Sequence, residues 1–167
     1  GVINEEIYSA IAAHWSAIQA EIVKIDVLRN QVDSMSSELN GLDRDLNYDE
    51  NTYTTRQDKD AWDDARRCMR NANLQLSRCQ KACDVGDTQS AGKKEWMQEL
   101  HDTYIVTRRP IDNPEAVESE FQYFRKMLVN LENQVNSALA SAATDGVGRA
   151  RRVLAEIATK VRKAKTM

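Results

Sequence analysis

Residues 7–46 read IYSAIAAHWSAIQAEIVKIDVLRNQVDSMSSELNGLDRDL, and this stretch decides the fold. Its apolar residues are Ile7, Ile11, Trp15, Ile18, Ile22, Ile25, Leu28, Val32, Met35, Leu39, Leu42 and Leu46. Every gap is three or four, the recurrence of one face of an α-helix at 3.6 residues per turn. At about 1.5 Å per residue such a helix is roughly 60 Å long. Its apolar stripe has no stable place in water, so the rest of the chain must supply partners of similar length.

The flanking sequence supplies them. Asn4 is placed to cap the first helix, Glu5 and Glu6 suit its positive end, and Ile3 can pack on Tyr8. Gly41 weakens the helix near its end, and the polar run Asn47–Thr55 reads as the first reversal. A second helix is expected over Gln57–Asp84, with Trp62, Ala65, Met69, Ala72, Leu76, Cys79 and Cys83 alternating three and four apart, a heptad seam. Gly86 is expected to end it, and Asp87–Gly92 to link it to a third helix, Lys93–Arg108. On that third helix Trp96, Leu100 and Tyr104 or Ile105 make the apolar face, and Pro110 stops it.

Asn113-Pro114-Glu115 is a strong helix start: cap, fixed φ, then an acid in the first turn. The helix that follows carries Val117, Phe121, Phe124, Leu128, Leu131, Val135, Ala138 and Ala142 on one face, with Leu128 and Leu131 expected among its most buried residues. Thr144-Asp145-Gly146 interrupts it or bends it into a last helix, Gly148–Lys165, with Ala150, Val153, Leu154, Ile157, Val161 and Ala164 on one side. No alternating run marks a strand. The expectation is a single all-α domain over residues 1–167, an elongated antiparallel bundle of four to five helices with coiled-coil-like heptad packing. Two prolines and six glycines in 167 residues fit long helices with few connections.

Charge is unevenly spread. The net value is −3, yet residues 147–167 hold seven Lys and Arg against one Glu, so they carry +6 and leave −9 on the remainder. The acids concentrate between Asp43 and Asp64. The basic C-terminal segment is amphipathic, with Arg149, Arg152, Lys160, Arg162 and Lys163 opposite its apolar stripe. Those five residues are the candidate contact set. They suit an acidic protein partner or an anionic membrane surface. Nucleic acid is disfavoured, because no aromatic lies among them to stack on bases.

Chemistry is sparse. Cys68, Cys79 and Cys83 fall on one side of the second helix, about 20° and then about 40° apart. An odd, clustered set favours packing in a reducing, cytoplasmic compartment over a disulfide framework. A zinc site would need further ligands, and His14 and His101 are the only histidines. His14 beside Trp15 reads as a boundary residue, not a base, and Trp15, Trp62 and Trp96 all read as inward-facing. Paired Glu-x-x-His, His-Glu-x-x-His, the phosphate-binding P-loop and the dinucleotide glycine pattern are missing, so no enzyme, metal or cofactor is expected. No apolar run is long enough for a membrane span, and no signal-peptide pattern is visible at the N-terminus. The expected function is a structural or protein–protein interaction module presenting helical faces to a partner. The alternative is a membrane-acting helical protein, a pore-former or a peripheral binder, using the basic C-terminal helix.

Overall fold

The computed structural model describes the backbone of residues 2–48 and 56–166, and the side chains of residues 2–46, 56–83 and 92–159. The protein is an all-α bundle, with no strand among the described residues. Helix α1 spans Glu5–Tyr48, and α2 spans Arg56–Leu100 and runs into a π-helical turn, His101–Val106. Helix α3 spans Pro114–Ser141, and a second π-helical turn, Ala142–Gly148, carries it into α4, Arg149–Thr166.

The starts follow from the sequence. Asn4 Oδ1 accepts the Ile7 amide at 3.2 Å, and Asn113 Oδ1 accepts the Ala116 amide at 3.3 Å, satisfying donors that have no partner inside the helix. Past the first π-turn the backbone reverses through Arg108, whose φ of 60° lies in the left-handed region. The Arg109 amide then bonds back to the Tyr104 carbonyl at 3.1 Å, and Pro110 prevents a further turn.

Two compact units are present, Gly1–Arg29 with Lys81–Gln134, and Asn30–Gln80 with Val135–Met167. In the first, α1 buries Tyr8, Ile11, Trp15, Ile18, Ile25 and Leu28, α2 buries Cys83 and Met97, and α3 buries Phe121, Phe124 and Leu128. Trp15 meets Phe121 edge-on, with ring centres 5.9 Å apart, and stacks on His101 at 6.0 Å. The buried Tyr8 hydroxyl donates to the Arg109 carbonyl at 2.5 Å and accepts the Ile111 amide at 2.9 Å, so one side chain of α1 satisfies two backbone groups of the link to α3.

In the second unit the buried set is Val32, Leu39 and Leu46 of α1, Trp62 to Cys79 of α2 at the expected spacing, and Val135, Ala138, Ala142, Val147, Ala150, Val153 and Ile157. Small residues permit close approach here. A Cβ on Gly146 would stand 3.0 Å from Ala72 Cβ and 3.1 Å from Leu39 Cδ2. Trp62 Nε1 donates to the Leu46 carbonyl at 2.7 Å, and the Arg66 guanidinium lies over the Trp62 ring while bonding Asp43 at 3.1 Å.

Four expectations need correction. Helix α2 does not end at Gly86 and has no linker over Asp87–Gly92; it is one helix of 45 residues. A glycine in a helix interior costs only about 1 kcal/mol, which the packing of Cys83 on one side and Met97 on the other offsets. Those two residues are fourteen apart, two full heptads, and this continuity fixes the second error: Met97 is fully buried, while Trp96 is 42% exposed. On α1 the inward residue between Ile18 and Ile25 is Glu21, and Ile22 is only half-buried. On α3 Leu128 is buried as expected, but Leu131 is half-buried. The expected first reversal falls mainly on residues 49–55, outside the described residues.

Gly41 and Gly146 therefore have opposite roles. The Cβ of an alanine at Gly41 would meet nothing closer than Arg44 Nη2 at 3.9 Å, so Gly41→Ala should raise the unfolding free energy by about 1 kcal/mol. Gly146→Val should lower it by about 1–3 kcal/mol through overpacking. Urea unfolding followed by circular dichroism reads both, and a stabilised Gly146→Val protein would refute the close approach.

Candidate functional site

The basic C-terminal helix turns its apolar side inward. Val147, Ala150, Val153 and Ile157 are buried, and Leu154 is half-buried. Arg149 Nη1 donates to Asp64 Oδ2 of α2 at 2.7 Å, joining the basic segment to the end of the acidic stretch. That hydrogen bond, helped by the charges of Arg149 and Arg67, holds the Asp64 carboxyl below its ordinary range although partial burial opposes it. Arg151 pairs with Glu38 of α1. Arg152 is exposed, and its Nε donates to the Gly148 carbonyl of its own helix at 3.4 Å. The side chains of Lys160, Arg162 and Lys163 lie outside the described residues. Of the five candidate contact residues, Arg149 is thus engaged within the bundle and Arg152 is turned to water.

Cys79 and Cys83 are buried and Cys68 is half-buried, and none of the three is joined in a disulfide. Burial pushes the Cys79 thiol up, which disfavours the reactive thiolate. Among the described residues, no three His, Cys, Asp or Glu side chains gather as a metal site would require. Among the same residues, no helix is long and apolar enough to cross a membrane.

The sequence pattern missed two features. One is a group of exposed apolar side chains in the first unit: Trp96 of α2 is 42% exposed, and Tyr123 and Met127 of α3 are 65% and 39% exposed. Lys93, one turn before Trp96, places its ammonium 5.6 Å from the Tyr123 ring centre and bonds Glu120 at 3.1 Å, so the two helix faces adjoin. The α2 register through Gly86 was the signal that could have found it. The other is the buried carboxyl of Glu21. Its Oε1 lies 3.5 Å from Lys24 Nζ, and its carboxyl hydrogen-bonds the neighbouring carboxyl of Glu132. Burial pushes this acid up, the neighbouring Glu132 adds to the shift, and Lys24 partly opposes it. A stripe reading from Ile18 to Ile25 passes equally well through position 21 or 22, and hydrophobicity alone chooses the wrong one.

No protein family, curated protein or solved structure matches this chain. The class of protein is therefore defined by its fold, a helical bundle, and by the surfaces just described.

The raised acid of Glu21 gives a signed expectation. A folded-state value above the unfolded one means the folded protein holds the proton more tightly. The stability tied to that proton is intact below the usual glutamate range, near about 4.3. It is lost as pH rises from there through the raised value. Glu21→Gln removes this loss, so the variant should exceed the parent most at neutral and alkaline pH and least near pH 4. Urea midpoints across pH 4–9 provide the check, and parallel profiles would refute the buried acid.

Proposed function

We propose that the chain is a non-enzymatic interaction module that presents a helical face to a protein partner. The observation carrying this reading is the group of exposed side chains Trp96, Tyr123 and Met127 in the first unit. Two long helices contribute it, both held by a core that does not need these three side chains. Aromatic and methionine side chains are the types enriched where proteins bury surface against one another, and depleted where a surface only meets water. Val23 and Val27 of α1, one helical turn apart, add exposed aliphatic surface to the same unit. The compartment that fits three cysteines without a disulfide is a reducing one, and we propose the cytoplasm on that basis.

The membrane reading receives less support. Lying on an anionic surface would require Val153 and Ile157 to leave the bundle and the Arg149–Asp64 and Arg151–Glu38 pairs to break. The reading favours a docked α4 whose remaining basic groups face water.

The test combines one variant with one truncation. Trp96→Ala/Tyr123→Ala should keep the helical spectrum of the parent and lose a partner that the parent retains from an extract of the source organism. Replacing a central aromatic anchor should weaken that contact by about 2 kcal/mol or more, at least roughly thirtyfold. A chain ended after Gly146 should lose stability without a change in liposome sedimentation. Retention of the partner by the double variant would overturn the proposed face, and loss of liposome binding on truncation would favour the membrane reading.

A further inference from the structure

The first unit has a surface pocket of about 320 Å³, open to solvent, where His14 of α1 meets Gln122, Arg125, Lys126, Val129 and Asn130 of α3. On α3 these residues fall at i, i+3, i+4, i+7 and i+8, one face of the helix, and His14 borders the pocket from α1. The lining combines two cations, two amides and an apolar wall. Val129 and the aliphatic stems of Arg125 and Lys126 supply the wall, because long basic side chains cover apolar surface while holding the charge at its edge.

His14 organises the charged end. It is half-buried, and its Nδ1 stands 3.2 Å from Arg125 Nη1, with the guanidinium as donor and the ring nitrogen as acceptor. That assigns the ring proton to Nε2, which faces Glu118 Oε1 at 4.0 Å. Burial and the Arg125 charge push the imidazole down, towards the neutral form that this arrangement needs, against the pull of Glu118. The histidine thus holds one edge of the guanidinium and separates it from the nearby acid. The remaining N–H groups of Arg125 are left to donate, and a guanidinium matches a planar anion with two parallel bonds.

We propose that this pocket binds a small amphiphilic carboxylate, with its head on Arg125 and Lys126 and its apolar body against Val129. The volume is at the lower end of small-molecule sites and is far more than an inorganic anion fills. A single guanidinium beside one ammonium suits a monoanion with a planar head, and the apolar wall favours a ligand with a hydrocarbon portion. Gln122 and Asn130 provide neutral donors at the two ends of the α3 face. The site does not involve Trp96, Tyr123 or Met127, so the inference stands apart from the proposed partner face.

The chain contains two histidines, which makes imidazole proton resonances a direct reporter. Full-length protein would be titrated with sodium octanoate, with sodium acetate and with inorganic phosphate, and the His14 signal assigned from a His14→Gln variant. Octanoate should shift His14 saturably and leave His101 unmoved. Acetate, which keeps the head and lacks the body, and phosphate, which lacks both planarity and body, should each bind about tenfold more weakly or worse. Arg125→Gln, a change at an exposed position, should weaken octanoate by about tenfold or more, and Arg125→Lys should restore only part of the loss. Lys126→Gln, also exposed, should weaken it as well and serves as a second reading if Arg125→Gln lowers the helical signal. Equal responses to octanoate, acetate and phosphate would overturn the amphiphile assignment and leave a surface charge. Equal shifts of both histidines, or octanoate binding unchanged in Arg125→Gln and Lys126→Gln, would overturn the site.

Discussion

The apolar stripe of α1 is the constraint on which the rest depends. A helix of 44 residues whose buried positions are supplied by tyrosine, tryptophan, isoleucine, leucine and valine cannot remain solvated, and no other element is long enough to cover it except helices of like length. That requirement explains why α2 continues through Gly86 and why α3 and α4 are joined by a π-helical turn, not a loop. Each break in a covering helix would expose part of the stripe. Local weaknesses of about 1 kcal/mol are tolerated because neighbouring burial outweighs them.

Polar groups are fitted into this scheme at a few positions. The Tyr8 hydroxyl and the Trp62 indole each bring a hydrogen-bonding group into the core edge, and each finds a backbone partner at a helix end or link. Tyr8 joins a core contact to the link before α3, and Trp62 ties α2 to the last turn of α1. Glu21 is the contrasting case: a buried carboxyl where the pattern calls for an apolar side chain, set beside a second carboxyl, Glu132. Its burial raises its proton affinity and makes that layer of the first unit responsive to pH.

The surface divides into faces with different chemistry. Basic groups on α4 are partly used inside the second unit, through Arg149 and Arg151. The first unit carries the exposed side chains Trp96, Tyr123 and Met127 and the cationic pocket beside His14. Cys79 and Cys83 occupy positions where a small side chain is needed, and the burial that accommodates Cys79 also disfavours its thiolate.

By itself the sequence determined the class of fold, the starts at Asn4 and Asn113, the core spacing of α2 from Trp62 to Cys83, and the inward placing of Ala150, Val153 and Ile157 on α4, whose further stripe residues Val161 and Ala164 lie outside the described side chains. These are local properties: side-chain periodicity and capping chemistry operate over a turn or two, and a single chain segment expresses them. Tertiary structure decided which of two adjacent residues faces inward, Glu21 over Ile22 and Met97 over Trp96, and whether the helix survives Gly86. It also decided the partner of Arg149 and the meeting of His14 with Arg125, residues 111 positions apart. Those outcomes depend on the register between helices. Register is set by the sum of contacts along whole helices, so no short window of sequence contains it.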